Sequence, residues 1–193
     1  MQKYFNEKYL NSLPVSKKTV KDRNSYLAEA HISKEQKETF DVFLSHSSKD
    51  KNLVGKVRDV IEKEYHFSAY VDWDENSGML RTEVADTIKE VMTRCKTLLI
   101  VKTQNSDESS WVSWETGYFE ALKFKNITDR FDQIGVLVID NENFNQAVLE
   151  NPFNCYHQEY LLRYTFVDEN NLRTFIQQGA KKAREYNQCA KIF

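Results

Sequence analysis

Hydrophobic residues recur along the chain with two different spacings, and their alternation predicts an order of strands and helices. Four short apolar runs rich in strand-forming side chains cover residues 40–44, 68–73, 97–101 and 134–139. The two later runs are almost continuously apolar, as expected of strands that are covered on both faces. After each of the first three runs, apolar residues return at helical spacing, which predicts repeated strand–helix units.

Four stretches carry the helical spacing. The first begins at Asp50, a candidate N-cap, and ends near Tyr65, and the third begins near Ser109 or Ser110. The apolar stripes of the other two are Val84, Ile88, Val91, Met92 and Cys95 for the second, and Leu172, Phe175, Ile176 and Ala183 for the last. Residues 140–164 are loop-rich. This alternation predicts an α/β domain in which helices cover both faces of a parallel sheet.

Residues 1–38 differ from the rest of the chain, because they are polar, contain Pro14 and carry only sparse apolar residues at roughly helical spacing. We expect a short helical N-terminal extension over residues 1–38 and one domain over residues 39–193. A length of 193 residues, with 40% apolar and 29% charged residues, is typical of a globular protein with one core.

Charge and cysteine content narrow the expected partners and location. The formal net charge is -2, from 27 basic and 29 acidic residues that are interspersed, so neither nucleic acid nor a membrane surface is expected as a partner. No apolar run approaches the ~18 residues of a membrane span, and the N-terminus is too polar for a signal peptide, so a cytoplasmic location is expected. Three widely spaced cysteines without ligand spacing are expected to be reduced and to hold no metal.

Ligands of open parallel sheets bind beyond the carboxyl ends of the strands, and three segments of this chain should meet there. They are residues 45–49, residues 72–81 and the stretch from Thr103 to the helix of Trp111. The serines of the first segment have two open interpretations. They could end the strand and cap the next helix, or their hydroxyl and backbone N–H groups could hold a ribose or phosphate.

Glu115 is the most unusual residue of the third helix. Helical spacing places it on an inward-facing stripe made of Trp111, Trp114, Glu115, Tyr118 and Leu122. Burial of a carboxylate costs several kcal/mol unless the group is paired or hydrogen-bonded. A capping box does not explain Glu115, because with Ser110 as N-cap the third helical position is Ser113.

Two interpretations of Glu115 stay open on chemistry alone, a functional carboxylate and a structural ion pair. The cationic side chains that could form the pair are Arg81, Arg94 and Lys102. Trp114 and Tyr118 are expected to belong to the core, whereas Trp111, in the first turn, should lie nearer the cleft.

Several common nucleotide-binding and catalytic motifs are missing. Neither Gly-x-Gly-x-x-Gly nor a Walker A sequence occurs in a chain with only five glycines. The sequence contains no G-x-S-x-G elbow, and His46 has no evident acid–base partner. Serine hydrolase chemistry therefore has little support. A nucleotide would have to be held in another way.

Three stretches, taken in this order, resemble the Toll/interleukin-1 receptor (TIR) domain family: FDVFLSHSSKD, YVDWDENSG and SSWVSWE. The first ends in S-H-x-x-x-D, made by Ser45, His46 and Asp50, and the third contains W-x-x-x-E, made by Trp111 and Glu115. The resemblance spans residues 38–139 and implies a flavodoxin-like sheet. The loop after the second strand lacks the proline of receptor and adaptor members, which favours the bacterial type.

Many bacterial and plant members of this family cleave the nicotinamide–ribose bond of NAD+, and the resemblance implies that activity here, with Glu115 as the catalytic residue. Matching positions in the substrate-facing segments are Ser45, Ser47, Asp72, Trp73, Trp111 and Trp114. NAD+ would be the substrate, with no cofactor and no metal. Departure of the cationic nicotinamide as a neutral base develops oxocarbenium charge on the ribose, which one buried carboxylate can stabilise.

The resemblance also implies self-association, with residues 74–81 of one copy closing over the cleft of another. The expected products are nicotinamide and either ADP-ribose or a cyclic or conjugated ADP-ribose signal for a separate effector protein in anti-phage immunity. Because the short chain carries no recognisable effector module, signal synthesis is favoured over bulk NAD+ depletion. Two rival functions are a non-catalytic TIR–TIR interaction module, in which Glu115 is only salt-bridged, and a nucleoside deoxyribosyltransferase-like enzyme.

Overall fold

Five parallel strands form one sheet in a computed structural model that describes residues 5–14, 39–72, 81–103, 105, 106, 109–123, 133–139 and 164–189, with the backbone alone for residues 81–83 and 183–189. The strands are β1 (Phe40–Ser45), β2 (Ala69–Val71), β3 (Cys95–Lys102), β4 (Ile134–Val138) and β5 (Thr165–Val167). They pair in parallel in the order β2-β1-β3-β4-β5. This is the strand order of flavodoxin-like folds, so the predicted fold class is confirmed.

Helices cover both faces of this sheet. They are α1 (Glu7–Ser12), α2 (Lys51–Lys63), α3 (Arg81–Arg94), α4 (Ser110–Lys123) and α5 (Leu172–Cys189), and a 3-10 turn, Ser48–Asp50, precedes α2. Alternation along each strand separates two cores. Val42 and Leu44 of β1 face the apolar side chains of α1, α2 and α5, while Phe43 faces those of α3 and α4.

Two features of the secondary structure differ from the prediction. Cys95 is the first residue of β3, not the last residue of the helical stripe, because α3 ends at Arg94 and the strand follows at once. Cys95 is 1% exposed, and an inward-facing residue at such a junction satisfies the helical and the strand pattern alike. The second difference is β5, which was not predicted, since three residues with an exposed Phe166 are too short to show an alternation.

The first helix packs into the main core. Asn6 caps α1, because its side-chain oxygen accepts from the backbone N–H groups of Lys8 and Tyr9. Phe5 and Leu10 are buried. The ring of Phe5 stacks on Tyr65 with centroids 6.2 Å apart, and its N–H donates to Glu169 Oε1 at 3.1 Å. Residues 15–38 lie outside the described part of the chain, and the division at residue 38 stays a prediction.

Candidate active site

A hydroxyl and a carboxylate meet at the carboxyl end of the sheet. Ser45 is the last residue of β1, and alternation from Phe43 turns it towards the α3 and α4 layer. Its Oγ donates a hydrogen bond of 2.5 Å to Oε2 of Glu115, which lies in the second turn of α4. Ser45 is 0% and Glu115 1% exposed. The predicted inward orientation of Glu115 is confirmed, and a donor to a carboxylate in a dry setting is a strong interaction.

The buried face of α4 is not the stripe that the sequence predicted. Its buried residues are Val112, Glu115, Thr116 and Phe119. Trp111, Trp114 and Tyr118 are half-buried and pack against this core, so the expectation that Trp114 and Tyr118 belong to it holds only in part. Both sets have helical spacing around position 115, and only the packing of α4 on the sheet selects between them.

The aromatic residues of α4 form a stack beside the carboxylate. The rings of Trp111 and Trp114 have centroids 4.9 Å apart, and those of Trp114 and Tyr118 are 5.9 Å apart. The Nε1–H group of Trp111 is buried, and within the described ranges no atom accepts a hydrogen bond from it. The stack therefore offers flat apolar faces, of the kind on which planar bases pack.

Ser109 sets the start of α4. Its Oγ accepts from the N–H of Val112 at 3.4 Å, as an N-cap side chain does. The third helical position is thus Val112, and Glu115 belongs to no capping box, as predicted.

The loop after β1 departs from its prediction at Asp50. Asp50 occupies the N-cap position of α2, but its side chain makes no capping hydrogen bond. Its carboxylate instead accepts from Thr103 Oγ1 at 2.5 Å and from Asn105 Nδ2 at 2.7 Å, across to the loop after β3. Ser47 caps the 3-10 turn by accepting from the N–H of Lys49 at 3.4 Å. Ser47 therefore has a capping role, as one interpretation predicted, but it caps the 3-10 turn and not α2. Its role towards a substrate stays a prediction.

His46 is buried beside this loop and is 5% exposed. Burial lowers the pKa of its ring to about 4, with a further lowering by the positive charge of Lys51, against a backbone hydrogen bond at Leu44 that raises it. The imidazole is therefore neutral at pH 7.

The remaining predicted residues lie at neighbouring strand ends. Asp72 follows β2, the neighbour of β1, and is 4% exposed, whereas Trp73 and residues 74–80 lie outside the described part of the chain. Lys102, one of the candidate partners of Glu115, ends β3, is 0% exposed and has its pKa lowered by burial to about 8. Alternation from Ile100 turns it towards α4 as well. The ion-pair interpretation of Glu115 stays a hypothesis.

Sequence reasoning missed the contact of Asp50 with Thr103 and Asn105. The available signal was that polar residues follow two neighbouring strands, β1 and β3, at the same edge of the sheet. No metal-binding group of three or more His, Cys, Asp or Glu residues occurs among the residues that the structure describes. In the same residues, no helix has the length and apolar character needed to cross a membrane.

The sequence is similar to one known family and to two bacterial proteins. The sequence profile of the family described as TIR domain matches residues 42–147. The chain is 30% identical over 156 residues to the Bacillus cereus (strain MSX-D12) protein "Probable 3' cyclic ADP-D-ribose synthase ThsB'", covering 79% of this chain and 72% of that one. It is 34% identical over 93 residues to the Cytobacillus dafuensis protein "Putative cyclic ADP-D-ribose synthase TIR2", covering 46% of this chain and 24% of that one.

Among solved structures, the TIR domain of the Toll-related receptor TRR-2 from Hydra magnipapillata is 10% identical, with a TM-score of 0.44, over 76% of this chain and 99% of that one. The family profile matches more than half of the residues, and the Bacillus cereus relative is covered over more than two thirds of its length. Both findings identify the same family. The chain belongs to the TIR domain family.

Proposed function

We propose that this protein cleaves the nicotinamide–ribose bond of NAD+ and releases nicotinamide with a cyclic ADP-ribose signal or ADP-ribose. The observation that carries the proposal is the Glu115 carboxylate, 1% exposed and held by the Ser45 hydroxyl at the carboxyl edge of the sheet. The names of the two bacterial relatives, both cyclic ADP-D-ribose synthases, support the same chemistry.

The carboxylate acts on the charge that develops during bond cleavage. Nicotinamide is a cation in NAD+ and leaves as a neutral base, so no acid has to protonate it, and positive charge builds on the ribose. A carboxylate away from water stabilises that charge because its field is weakly screened and needs no reorganisation. We expect Glu115 to contribute about 3–4 kcal/mol, or two to three decades in rate.

The product depends on which group then attacks the anomeric carbon of the ribose. Attack by a hydroxyl of the second ribose closes a ring and gives cyclic ADP-ribose, whereas attack by water gives ADP-ribose. Either nucleophile loses one proton, which Glu115 accepts before it passes to solvent. The half-buried stack of Trp111 and Trp114 favours cyclisation, since it can hold a base of the substrate and exclude water from the reacting carbon.

The other predicted site residues have supporting roles in this proposal. Ser45 orients the carboxylate, and the family resemblance implies that Asp72, Ser47 and Trp73 act in binding the substrate. NAD+ is the substrate and no cofactor is required. The family resemblance supports a cytoplasmic enzyme that works as a homo-oligomer and whose product is sensed by a separate effector protein in bacterial anti-phage immunity.

Incubation of the purified protein with NAD+, followed by chromatography and mass spectrometry, tests the proposal. Wild type should release nicotinamide and a product with the mass of cyclic ADP-ribose or ADP-ribose, at a rate per protomer that rises with protein concentration. Glu115→Gln keeps the size of the side chain and should lower the rate at least ~100-fold. Glu120→Gln, on the same helix, is the matched control and should retain the rate, since the amide oxygen can still accept from the Tyr164 hydroxyl.

Two outcomes would speak against the proposal. Equal nicotinamide release by Glu115→Gln and wild type would contradict the mechanism. Consumption of nucleosides without turnover of NAD+ would instead indicate a deoxyribosyltransferase-like enzyme.

A further inference from the structure

The loop after β1 and the loop before α4 are joined at two places by hydrogen bonds, and together they form a closed ring. We call it the loop ring and define it by six residues: Ser45, Asp50, Thr103, Ser106, Ser109 and Glu115. On one side the covalent chain runs from Ser45 to Asp50. On the other side Thr103 leads through Ser106 to Ser109 and α4. The two sides meet at the hydrogen bond between Ser45 and Glu115, 2.5 Å long, and at the contact between Asp50 and Thr103.

Hydrogen bonds link the described residues on the β3 side of the loop ring. The N–H of Thr103 donates to Ser106 Oγ at 3.2 Å, and that hydroxyl donates back to the Thr103 carbonyl at 2.8 Å. The N–H of Ser109 donates to the Ser106 carbonyl at 3.2 Å, and Ser109 Oγ caps α4. The first turns of α4 are therefore connected to Thr103 through hydrogen bonds of 2.8–3.4 Å, of which the two between Thr103 and Ser106 are buried.

Asp50 closes the far side of the loop ring. Its backbone N–H donates to the Ser47 carbonyl at 2.9 Å, which fixes the turn that follows β1. Its carboxylate accepts from Thr103 and Asn105. Asp50 is 8% and Thr103 7% exposed, so water competes little for these hydrogen bonds. The Asp50 carboxylate does not cap its own helix. It accepts hydrogen bonds from the loop after β3 and so fixes the position of one loop relative to the other.

We infer that Asp50, through Thr103, is a positioning residue that sets the place of Glu115 relative to Ser45 and the substrate. The inference rests on the proposed function and adds to it a residue that does not touch the substrate. Catalytic groups must be held within ~0.5 Å of their productive geometry, and a displacement of ~1 Å costs up to ~100-fold in rate. Loss of the contact with Asp50 frees the start of α4 and therefore the carboxylate in its second turn.

Three threonine variants test the inference. Thr103→Val keeps the shape of the side chain but removes the donor to Asp50 and the acceptor for the Asn105 N–H, and Thr103→Ser restores both without the methyl group. Thr93→Val removes a threonine hydroxyl of the same kind at the exposed end of α3, where it donates to the Glu90 carbonyl at 2.6 Å. We expect Thr103→Val to lower kcat for nicotinamide release about tenfold with KM within about twofold, since orientation and not binding is lost. Thr103→Ser and Thr93→Val should stay within about twofold of wild type.

A second arm does not depend on activity. Amide hydrogen exchange of residues 110–116 should become faster in Thr103→Val, remain as in wild type in Thr103→Ser, and leave β4 unchanged. If wild type releases no nicotinamide, the proposed function fails, and this exchange pattern still decides whether the loop ring holds α4. Unchanged exchange in Thr103→Val overturns the inference. So does a Thr103→Ser protein as impaired as Thr103→Val, which would assign the effect to packing of the methyl group.

Discussion

The hydroxyl of Ser45 donates to the carboxylate of Glu115 over 2.5 Å, which joins the end of β1 to the second turn of α4. Both groups are nearly inaccessible to solvent. The donor stabilises the charged carboxylate and fixes the position of its Oε2 atom. The same contact thereby sets the orientation of Oε1. A short polar side chain at the last position of a strand thereby determines how a helix presents its carboxylate.

Ser45→Ala should slow nicotinamide release about tenfold, less than Glu115→Gln does. The variant removes a hydrogen bond to a charged group, worth about 1.5–3 kcal/mol, but leaves the charge that stabilises the ribose. Steady-state rates of nicotinamide release give the comparison. Ser12→Ala, which removes an exposed hydroxyl at the end of α1, is the control and should behave as wild type. Full activity of Ser45→Ala would show that this contact does not orient Glu115.

Glu115→Gln should unfold at the same temperature as wild type or at a higher one. The amide keeps an acceptor for Ser45 but avoids the cost of burying a charge, so a residue retained for catalysis is replaced without loss of stability. Differential scanning calorimetry measures the change. A loss of about 3–5 kcal/mol would instead identify a buried ion pair left with one partner, and would favour the interaction-module function.

Lys102→Met should remove part of the pH dependence of stability above pH 8, since burial lowers the pKa of Lys102 in the folded state from 10.5 to about 8. Between pH 8 and 10.5 the unfolded chain binds more protons than the folded one, so the stability of wild type rises there. Lys102→Met lacks this titrating group and should lack the rise. Urea unfolding of both proteins at pH 7 and pH 10 provides the test, and an equal rise in the two proteins would contradict the prediction.

The stability of wild type should fall as the pH decreases from 6.5 to 4 because of His46. Burial, together with Lys51, lowers the folded-state pKa of His46 to about 4, so in this window the unfolded chain takes up a proton that the folded chain does not. The loss amounts to about 3 kcal/mol at its limit. His46→Gln has no proton to gain and should show a flatter profile in urea unfolding at pH 7 and pH 4.5. Parallel profiles of the two proteins would argue against a neutral, buried His46.

Leu10→Ala should destabilise the whole domain by about 2–4 kcal/mol, as expected for a leucine that is 0% exposed in the main core. Leu13→Ala, one turn further along at a half-buried position, is the control and should cost clearly less. Thermal unfolding of both variants gives the comparison. A cooperative transition unchanged by Leu10→Ala would mean that α1 does not contribute to the stability of the domain.

The first four strands and the helices that follow the first three of them were predicted from hydrophobic spacing alone. The apolar runs at β1, β3 and β4, and the helical stripes between them, are local patterns that burial on one or both faces imposes. The same reasoning marked Glu115 as a buried carboxylate, because its place in the helical period is independent of what packs against the helix. The cluster of serines after β1 was likewise placed at the ligand-binding edge by strand order.

Only the tertiary structure decided which side chains meet. Helical spacing around Glu115 fits two neighbouring faces of α4, and the contact with the sheet selected the face of Val112 and Phe119 over that of the tryptophans. Asp50 has the local features of an N-cap, yet the approach of the β3 loop gave its carboxylate better donors in Thr103 and Asn105. Such pairings join residues more than fifty positions apart. The sequence pattern indicates that the loops after β1 and β3 share one edge of the sheet, but it reports burial and not which side chains pair.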